Sequence, residues 1–277
     1  MKKLWLTLSL LGVVLHLGYT ADPSGQWFRL TILHTNDIHG HLLPFSYPES
    51  FDPQSPLASM THRTNIGGVA RRATLIRQQR EAVQPYPALV IDAGDYMDGT
   101  PFSLEFLGEA DVATMNACGY DFATLGNHEF SNTLDQVLRL VQMSHFKTVC
   151  ANLRYRDTGA PLVPPYEITQ VGELRVALFG LVMTDTQNYR GARERVEVTN
   201  PFEVARQLVP QLRQQADVVI LISHLGIGDD ERLAREVPGI DVIVGGHSHT
   251  RLAEPRFIEW QQKAPVNLGG TVIVQAH

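Results

Sequence analysis

Five stretches of the sequence end an apolar run with side chains that can bind metal ions or transfer protons. They end at Asp37-Ile-His39, Gly94-Asp95, Gly126-Asn127-His128-Glu129, Ser223-His224 and Gly246-His247-Ser248-His249. Because side chains along a strand repeat their direction every two residues, Asp37 and His39 are expected on the same side. One Asp-x-His pair is a weak signal, since a simple Asp–His hydrogen bond also explains it. The recurrence of the pattern indicates a shared site.

The chain between these motifs alternates apolar strands with helices. Strands are predicted at 29–34, 88–92, 122–125, 147–152, 166–171, 175–182, 217–223, 240–244 and 271–275, and helices at 66–83, 104–117, 133–143, 202–212 and 229–237. Asn132 is the predicted N-cap of the third helix, and Pro44 to Asn65 is predicted to be an irregular loop. This alternation is typical of an α/β protein, in which residues that follow the strands meet at one edge. The sequence therefore predicts one rim that holds all five motifs.

The predicted rim combines two carboxylates, an amide and at least four imidazoles, which is too many ligands for one tetrahedral zinc ion. Oxygen and nitrogen donors without thiolates suit Zn, Mn, Fe or similar ions. Two such ions about 3.5–4 Å apart would acidify a bridging water to hydroxide and hold the oxygens of a phosphoryl group. The expected chemistry is hydrolytic attack at phosphorus.

In this order, the motifs resemble those of the calcineurin-like metallophosphoesterases. The segments 33–40, 92–95, 126–130 and 244–249 are similar, more narrowly, to the 5′-nucleotidase family, and the resemblance extends from about residue 29 to 275. It implies the catalytic domain of that family, an α/β fold built as a four-layer α/β/β/α sandwich. It also implies two divalent metal ions, such as Zn or Mn, and a nucleotide or related phosphate ester as substrate.

The resemblance further implies a role for each residue of the motifs. One metal ion would be held by Asp37, His39, Asp95 and His249, and the other by Asp95, Asn127, His224 and His247, so that Asp95 bridges them. Related enzymes vary at the position of His249. His128 is expected not to bind metal, but to stabilise the transition state or protonate the leaving oxygen.

The chain departs from the family's pattern in the residue that follows Asn-His-Glu-Phe. The family often has Asp there, which orients the catalytic His, whereas this chain has Ser131. We therefore expect His128 to lack that carboxylate and turnover to be slower, unless Ser131 or another acid such as Glu129 holds the ring. Glu129 is otherwise expected to be a structural hydrogen-bond partner.

Both ends of the chain suggest how it is organised. Residues 1–21 have the order of a secretory signal, with Lys2 and Lys3 before an apolar run and small residues, although an uncleaved anchor is the alternative. Residues 22–277 are then expected to be a periplasmic or secreted catalytic domain with no membrane span. The resemblance implies that relatives usually carry a C-terminal domain that binds the base. We expect that domain to be absent here, so that the chain is either a fragment of a two-domain enzyme or a lone catalytic domain, and the base-binding residues stay unnamed.

Composition limits the partners. The net charge of −6 over 277 residues gives no general attraction to nucleic acid polymers or anionic membranes. The expected partner is therefore a small phosphate ester. Cys118 and Cys150 are expected to be two core thiols rather than a disulfide.

Several activities remain open within this interpretation. A 2′,3′-cyclic nucleotide phosphodiesterase, a UDP-sugar hydrolase and the related sulfur-oxidation sulfohydrolase are not separated by the sequence. Outside the enzymes, a metal- or nucleotide-binding domain with little turnover is the alternative, suggested by Ser131. The presence of every predicted metal ligand favours an enzyme.

Overall fold

The computed structural model describes residues 15–19, 28–47, 63–260 and 269–276. The strands are β1 (Leu15–Tyr19), β2 (Phe28–Thr35), β3 (Phe45–Tyr47), β4 (Arg63–Ile66), β5 (Ala88–Asp92), β6 (Phe122–Ala123), β7 (Lys147–Thr148), β8 (Leu153–Tyr155), β9 (Tyr166–Val171), β10 (Leu174–Val182), β11 (Val196–Val198), β12 (Val218–His224), β13 (Val242–Gly245), β14 (Arg256–Glu259) and β15 (Gly270–Gln275). The α-helices are α1 (Val69–Ala82), α2 (Pro101–Glu105), α3 (Glu109–Cys118), α4 (Leu134–Met143), α5 (Pro201–Arg213) and α6 (Ile227–Glu236). Short 3-10 helices span His128–Phe130 and Thr184–Asn188.

Two large sheets form the centre of the fold. The first has the strand order β1-β2-β5-β6-β7, and the second has the order β14-β15-β13-β12-β10-β9. Neighbouring strands from β2 to β7 in the first sheet, and from β15 to β10 in the second, are parallel. The edge strands β1, β9 and β14 are antiparallel.

The sheets pack against each other through aliphatic side chains. Leu30, Ile32 and Ile91 of the first sheet lie in one buried cluster with Ile220 and Val244 of the second. Because helices cover the opposite face of each sheet, the central strands are apolar on both faces, and every residue of β12 and β13 is buried.

Helices form the two outer layers. Ile76 of α1 and Met115 of α3 pack on the first sheet beside Val90. Val209 of α5 and Leu233 of α6 pack on the second sheet. These layers give the α/β/β/α sandwich that the resemblance implied.

Most predicted elements are confirmed to within a few residues, but the helix predicted at 104–117 is wrong. The chain instead forms α2 and α3, separated where Leu107 has φ +50° and Gly108 has φ +83°. Both values lie in the left-handed region, which cannot continue a right-handed helix. The predicted N-cap of α4 is also wrong, because the residue that accepts the Gln136 N–H is Thr133, not Asn132.

The irregular loop predicted at 44–65 is wrong at both of its ends. β3 and β4 pair antiparallel there, and residues 48–62 between them lie outside the described part of the chain. The strands predicted at 122–125 and 147–152 contract to β6 and β7, with two residues each. Cys150 therefore lies beyond its strand.

Only part of the predicted signal segment can be described. Leu15–Tyr19 pairs with β2, and the rest of residues 1–21 lie outside the described residues. Of the helices that the structure describes, none has the length and apolar character needed to cross a membrane. Cys118 and Cys150 are both buried free thiols, as predicted.

Candidate metal centre

The five motifs follow the carboxyl ends of strands, and the fold brings them to one rim of the two sheets. Asp37 follows β2, Asp95 follows β5, and Asn127 follows β6 in the first sheet. His224 ends β12, and His247 follows β13, in the second sheet. The rim thus collects side chains from both sheets, as expected for a ligand site in an α/β protein.

A first group of potential ligands contains Asp37, His39 and His249, whose ligand atoms lie within 4.8 Å of one another. The Nε2 atoms of His39 and His249 are 3.2 Å apart, and His249 Nε2 is 3.5 Å from Asp37 Oδ1. Asp37 is buried, and its Oδ2 accepts hydrogen bonds from Asn36 Nδ2 at 2.6 Å and from the His247 N–H at 2.9 Å. A fixed carboxylate beside two imidazoles suits a divalent cation.

A second group contains Asp95, His224 and His247. His224 is buried, and its Nδ1–H donates to the Ala93 carbonyl at 2.7 Å, which leaves Nε2 to face Asp95 Oδ2 at 3.1 Å. Burial opposes a positive charge on this ring, yet Asp95 raises the pKa of His224 to about 10. The pocket therefore favours positive charge at a position that a metal ion can also occupy.

Asp95 belongs to the second group and also lies close to the first. Its Oδ2 is 3.9 Å from His39 Nε2 in addition to its contact with His224, and its Oδ1 accepts the His128 N–H at 2.8 Å. Burial lowers the pKa of both His39 and His247, which favours the neutral form of imidazole that binds metal. This placement suits the bridging position that the resemblance implied for Asp95.

The carbonyl oxygen of Asn127 is buried and has no hydrogen-bond partner among the described residues. Asn127 Nδ2 donates to the Tyr189 hydroxyl at 2.7 Å. His224 Nε2 is buried and lacks a well-aligned hydrogen bond in the same way. Because buried polar atoms are rarely left unsatisfied, these two atoms and the surrounding donor set fit divalent metal ions. Sequence reasoning did not identify Tyr189, for which no motif gave a signal.

The backbone is strained at this rim. Asp37, His39, Asp95, Asp98, His247 and His249 all have φ between +47° and +72°, and they are six of the eight non-glycine residues with positive φ in the described chain. Such conformations cost free energy and persist where the surrounding structure holds them, most often at functional sites.

Glu129 is the buried hydrogen-bond partner that was expected. Its carboxylate accepts the N–H groups of Asp95 at 2.9 Å, Tyr96 at 3.0 Å and Gly126 at 2.6 Å. Burial and the neighbouring Asp95 raise the pKa of Glu129 to about 8. The contacts join the loop after β5 to the loop after β6, which carries Asn127 and His128.

The alternative that another acid holds the His128 ring is the one that the structure shows, although the acid is Asp98 and not Glu129. The Nδ1 of His128 lies 2.9 Å from Asp98 Oδ2, and Ser131 Oγ donates to the same oxygen at 2.7 Å. Burial raises the pKa of Asp98, but hydrogen bonds from His128 and Ser131 outweigh it and hold that pKa below its usual value. The carboxylate comes from the loop after β5, where the sequence offered no signal beyond an acid three residues after Asp95.

Residues 30–251 match the calcineurin-like phosphoesterase family. The chain belongs to this family. Calcineurin-like phosphoesterases related to it include the snake venom 5′-nucleotidase of Gloydius brevicauda, which is 35% identical over 231 residues, covering 81% of this chain and 38% of the relative. The 5′-nucleotidase of Vibrio vulnificus is 29% identical, covering 94% of this chain and 49% of the relative.

Solved structures of calcineurin-like phosphoesterases show the same fold. A 5′-nucleotidase precursor from Thermus thermophilus has a TM-score of 0.75 at 32% identity, and the match covers 89% of this chain and 48% of that one. The NAD nucleotidase of Haemophilus influenzae has a TM-score of 0.77 at 27% identity, with 89% and 50% covered. The chain thus spans half or less of the length of these relatives. The similarities confirm the predicted resemblance to 5′-nucleotidases over this part of their length.

Proposed function

We propose that this chain is an exported phosphoesterase with a dinuclear metal centre. From its similarity to proteins named 5′-nucleotidases, we infer that it hydrolyses nucleotides. The observation that carries the proposal is that Asp95 belongs to two of the three His/Asp groups found among the described residues. One of these contains His39 and His128, and the other contains His224 and His247. A shared carboxylate between two ligand groups is the arrangement that two-metal phosphoryl chemistry needs.

The residues divide between two metal positions. Asp37, His39 and His249 would hold one ion, Asn127, His224 and His247 would hold the other, and Asp95 would contact both. Divalent ions there would polarise the phosphoryl oxygens and make a water nucleophile available near neutral pH.

The chain's own groups would orient the substrate. The His128 ring lies at the edge of the centre, with its centroid 4.9 Å from that of His39 and perpendicular to it. Because Nδ1 is engaged by Asp98, Nε2 is the atom that can reach a phosphoryl or leaving oxygen. By accepting backbone N–H groups, Glu129 would hold the loops that carry Asp95 and His128 in a fixed relative position.

The first test is hydrolysis of four esters by the purified full chain, loaded with Mn or Zn. The products measured are inorganic phosphate from AMP, a nucleoside monophosphate from 2′,3′-cyclic AMP, UMP from UDP-glucose and p-nitrophenol from bis(p-nitrophenyl) phosphate. We expect hydrolysis of at least one ester and two metal ions per chain by elemental analysis. Asp95→Ala should lose both the hydrolytic activity and the full metal content. Asp157→Ala, at an exposed loop position, is the matched control. The preferred ester would separate nucleotidase from cyclic phosphodiesterase and sugar-nucleotide hydrolase.

Two results would overturn parts of the proposal. Two bound metal ions without cleavage of any ester would indicate a binding domain. Export is tested separately, by cell fractionation of the expressed full chain and N-terminal sequencing of the product. Recovery of the uncleaved chain in the cytoplasm would contradict export.

A further inference from the structure

Asp98 and Ser131 form one hydrogen-bonded unit with His128. A single oxygen, Asp98 Oδ2, accepts from Ser131 Oγ at 2.7 Å and lies 2.9 Å from His128 Nδ1. Ser131 stands at the position where the family often has the Asp that orients this histidine. Asp98 Oδ2 is therefore within hydrogen-bonding distance of both Ser131 and His128, although Asp98 and His128 are 30 residues apart in sequence.

The Asp98 carboxylate is itself held in place. Its Oδ1 accepts the Gly99 N–H at 2.9 Å, and its own N–H donates to Ser103 Oγ at 2.9 Å. Ser103 is buried and donates to Asp111 Oδ2 at 2.6 Å. Only 16% of the Asp98 side chain is exposed, whereas 35% of His128 is exposed. The carboxylate is thus the fixed partner and the imidazole is the group that it holds.

The loop of Asp98 also lies directly against the candidate metal centre. Gly99 has φ +94°, and a Cβ built there would lie 2.9 Å from His39 Cβ. Asp98 has φ +68°, so a left-handed backbone is maintained at both positions. In this conformation the Asp98 carboxylate lies within hydrogen-bonding distance of His128 Nδ1.

We propose that Asp98 is the positioning residue of His128, and that Ser131 fixes Asp98 where relatives place the carboxylate directly. A carboxylate on Nδ1 sets the tautomer and orientation of an imidazole, so that Nε2 is presented to the substrate. The inference rests on the proposed function, since it assigns a role within the same site.

Relocating the carboxylate tests the proposal. Asp98→Ala removes it, and the double variant Asp98→Ser with Ser131→Asp returns it to position 131. We expect Asp98→Ala to lower kcat by about 100-fold, with KM changed by less than about twofold. The reason is that both Asp98 carboxylate oxygens are engaged within the protein, by His128, Ser131 and the Gly99 N–H. The double variant should recover most of the lost kcat. Metal content and melting temperature confirm that each variant is folded and loaded, and Asp157→Ala is the control.

A second readout does not depend on turnover. Side-chain ¹⁵N spectra of the histidines should show a protected Nδ1–H that is absent from His128→Gln, lost in Asp98→Ala and restored in the double variant. If the wild type cleaves no ester, the proposed function fails, and these spectra alone decide the role of Asp98. If the signal persists in Asp98→Ala, or if kcat is unchanged while the wild type is active, the positioning role is wrong and the proposed function stands.

Discussion

The side-chain amide of Asn127 donates to the Tyr189 hydroxyl at 2.7 Å, while Asn127 Oδ1 is buried and has no hydrogen-bond partner in the described part of the chain. The two residues are 62 positions apart in sequence, and Tyr189 comes directly after the 3-10 helix Thr184–Asn188. A tyrosine hydroxyl can accept from an amide N–H or donate to an amide oxygen, so this contact holds the Asn127 side chain in place. A divalent ion on its other side would favour the orientation that presents Oδ1.

We predict that Tyr189→Phe weakens metal binding at the group that contains Asn127, because the amide loses the hydrogen bond that holds its side chain in place. Loss of a hydrogen bond behind a ligand typically costs about tenfold or more in metal affinity. Titration of the metal-free protein with Zn in the presence of a competing chelator would measure this. The matched control is Tyr155→Phe, which removes a hydroxyl from a tyrosine on β8. Equal affinity in Tyr189→Phe and wild type would contradict the role given to the hydroxyl.

Glu129 is predicted to stabilise the fold rather than to transfer protons. Glu129→Ala would leave the buried N–H groups of Asp95, Tyr96 and Gly126 without an acceptor. We expect the free energy of unfolding to fall by about 3 kcal/mol or more, since each unsatisfied buried group costs about 1–3 kcal/mol. Urea unfolding in the presence of chelator would measure it, with exposed Glu173→Ala as the comparison. A change below about 0.5 kcal/mol would be the size expected of a surface position and would contradict this role.

His34 is predicted to make stability depend on pH. Both of its ring nitrogens are buried without a hydrogen bond among the described residues, and burial lowers its pKa from 6.5 to about 4. Between these values the unfolded chain binds a proton that the folded chain does not, so stability falls as the pH is lowered. From pH 7 to pH 5 the expected loss is about 2 kcal/mol.

The measurement is urea unfolding at both pH values, in excess chelator so that metal binding does not contribute. His34→Leu replaces the imidazole with an apolar side chain of comparable size and should remove this part of the pH dependence. If wild type and His34→Leu lose the same free energy between pH 7 and pH 5, the ring is not held neutral in the folded protein.

Much of the fold could be predicted because its signals are local. β5, β12 and β13 are apolar on both faces, and α5 has the spacing of a one-sided helix, so each could be recognised within its own segment. The break between α2 and α3 could not be recognised in this way, because the helical pattern continues through Leu107 and Gly108, where φ is +50° and +83°. The pairing of β3 with β4 likewise depends on contacts across residues that are distant in sequence.

By itself the sequence determined which side chains could form a metal centre. Asp37, Asp95 and His224 stand at the ends of strong apolar runs, and parallel strands place such positions at one edge. Only the tertiary structure decided which partners hold them. Asp98 reaches His128 and Tyr189 reaches Asn127 across 30 and 62 residues. No periodicity links residues at such separations, because their contact exists only once the loops have packed at the rim.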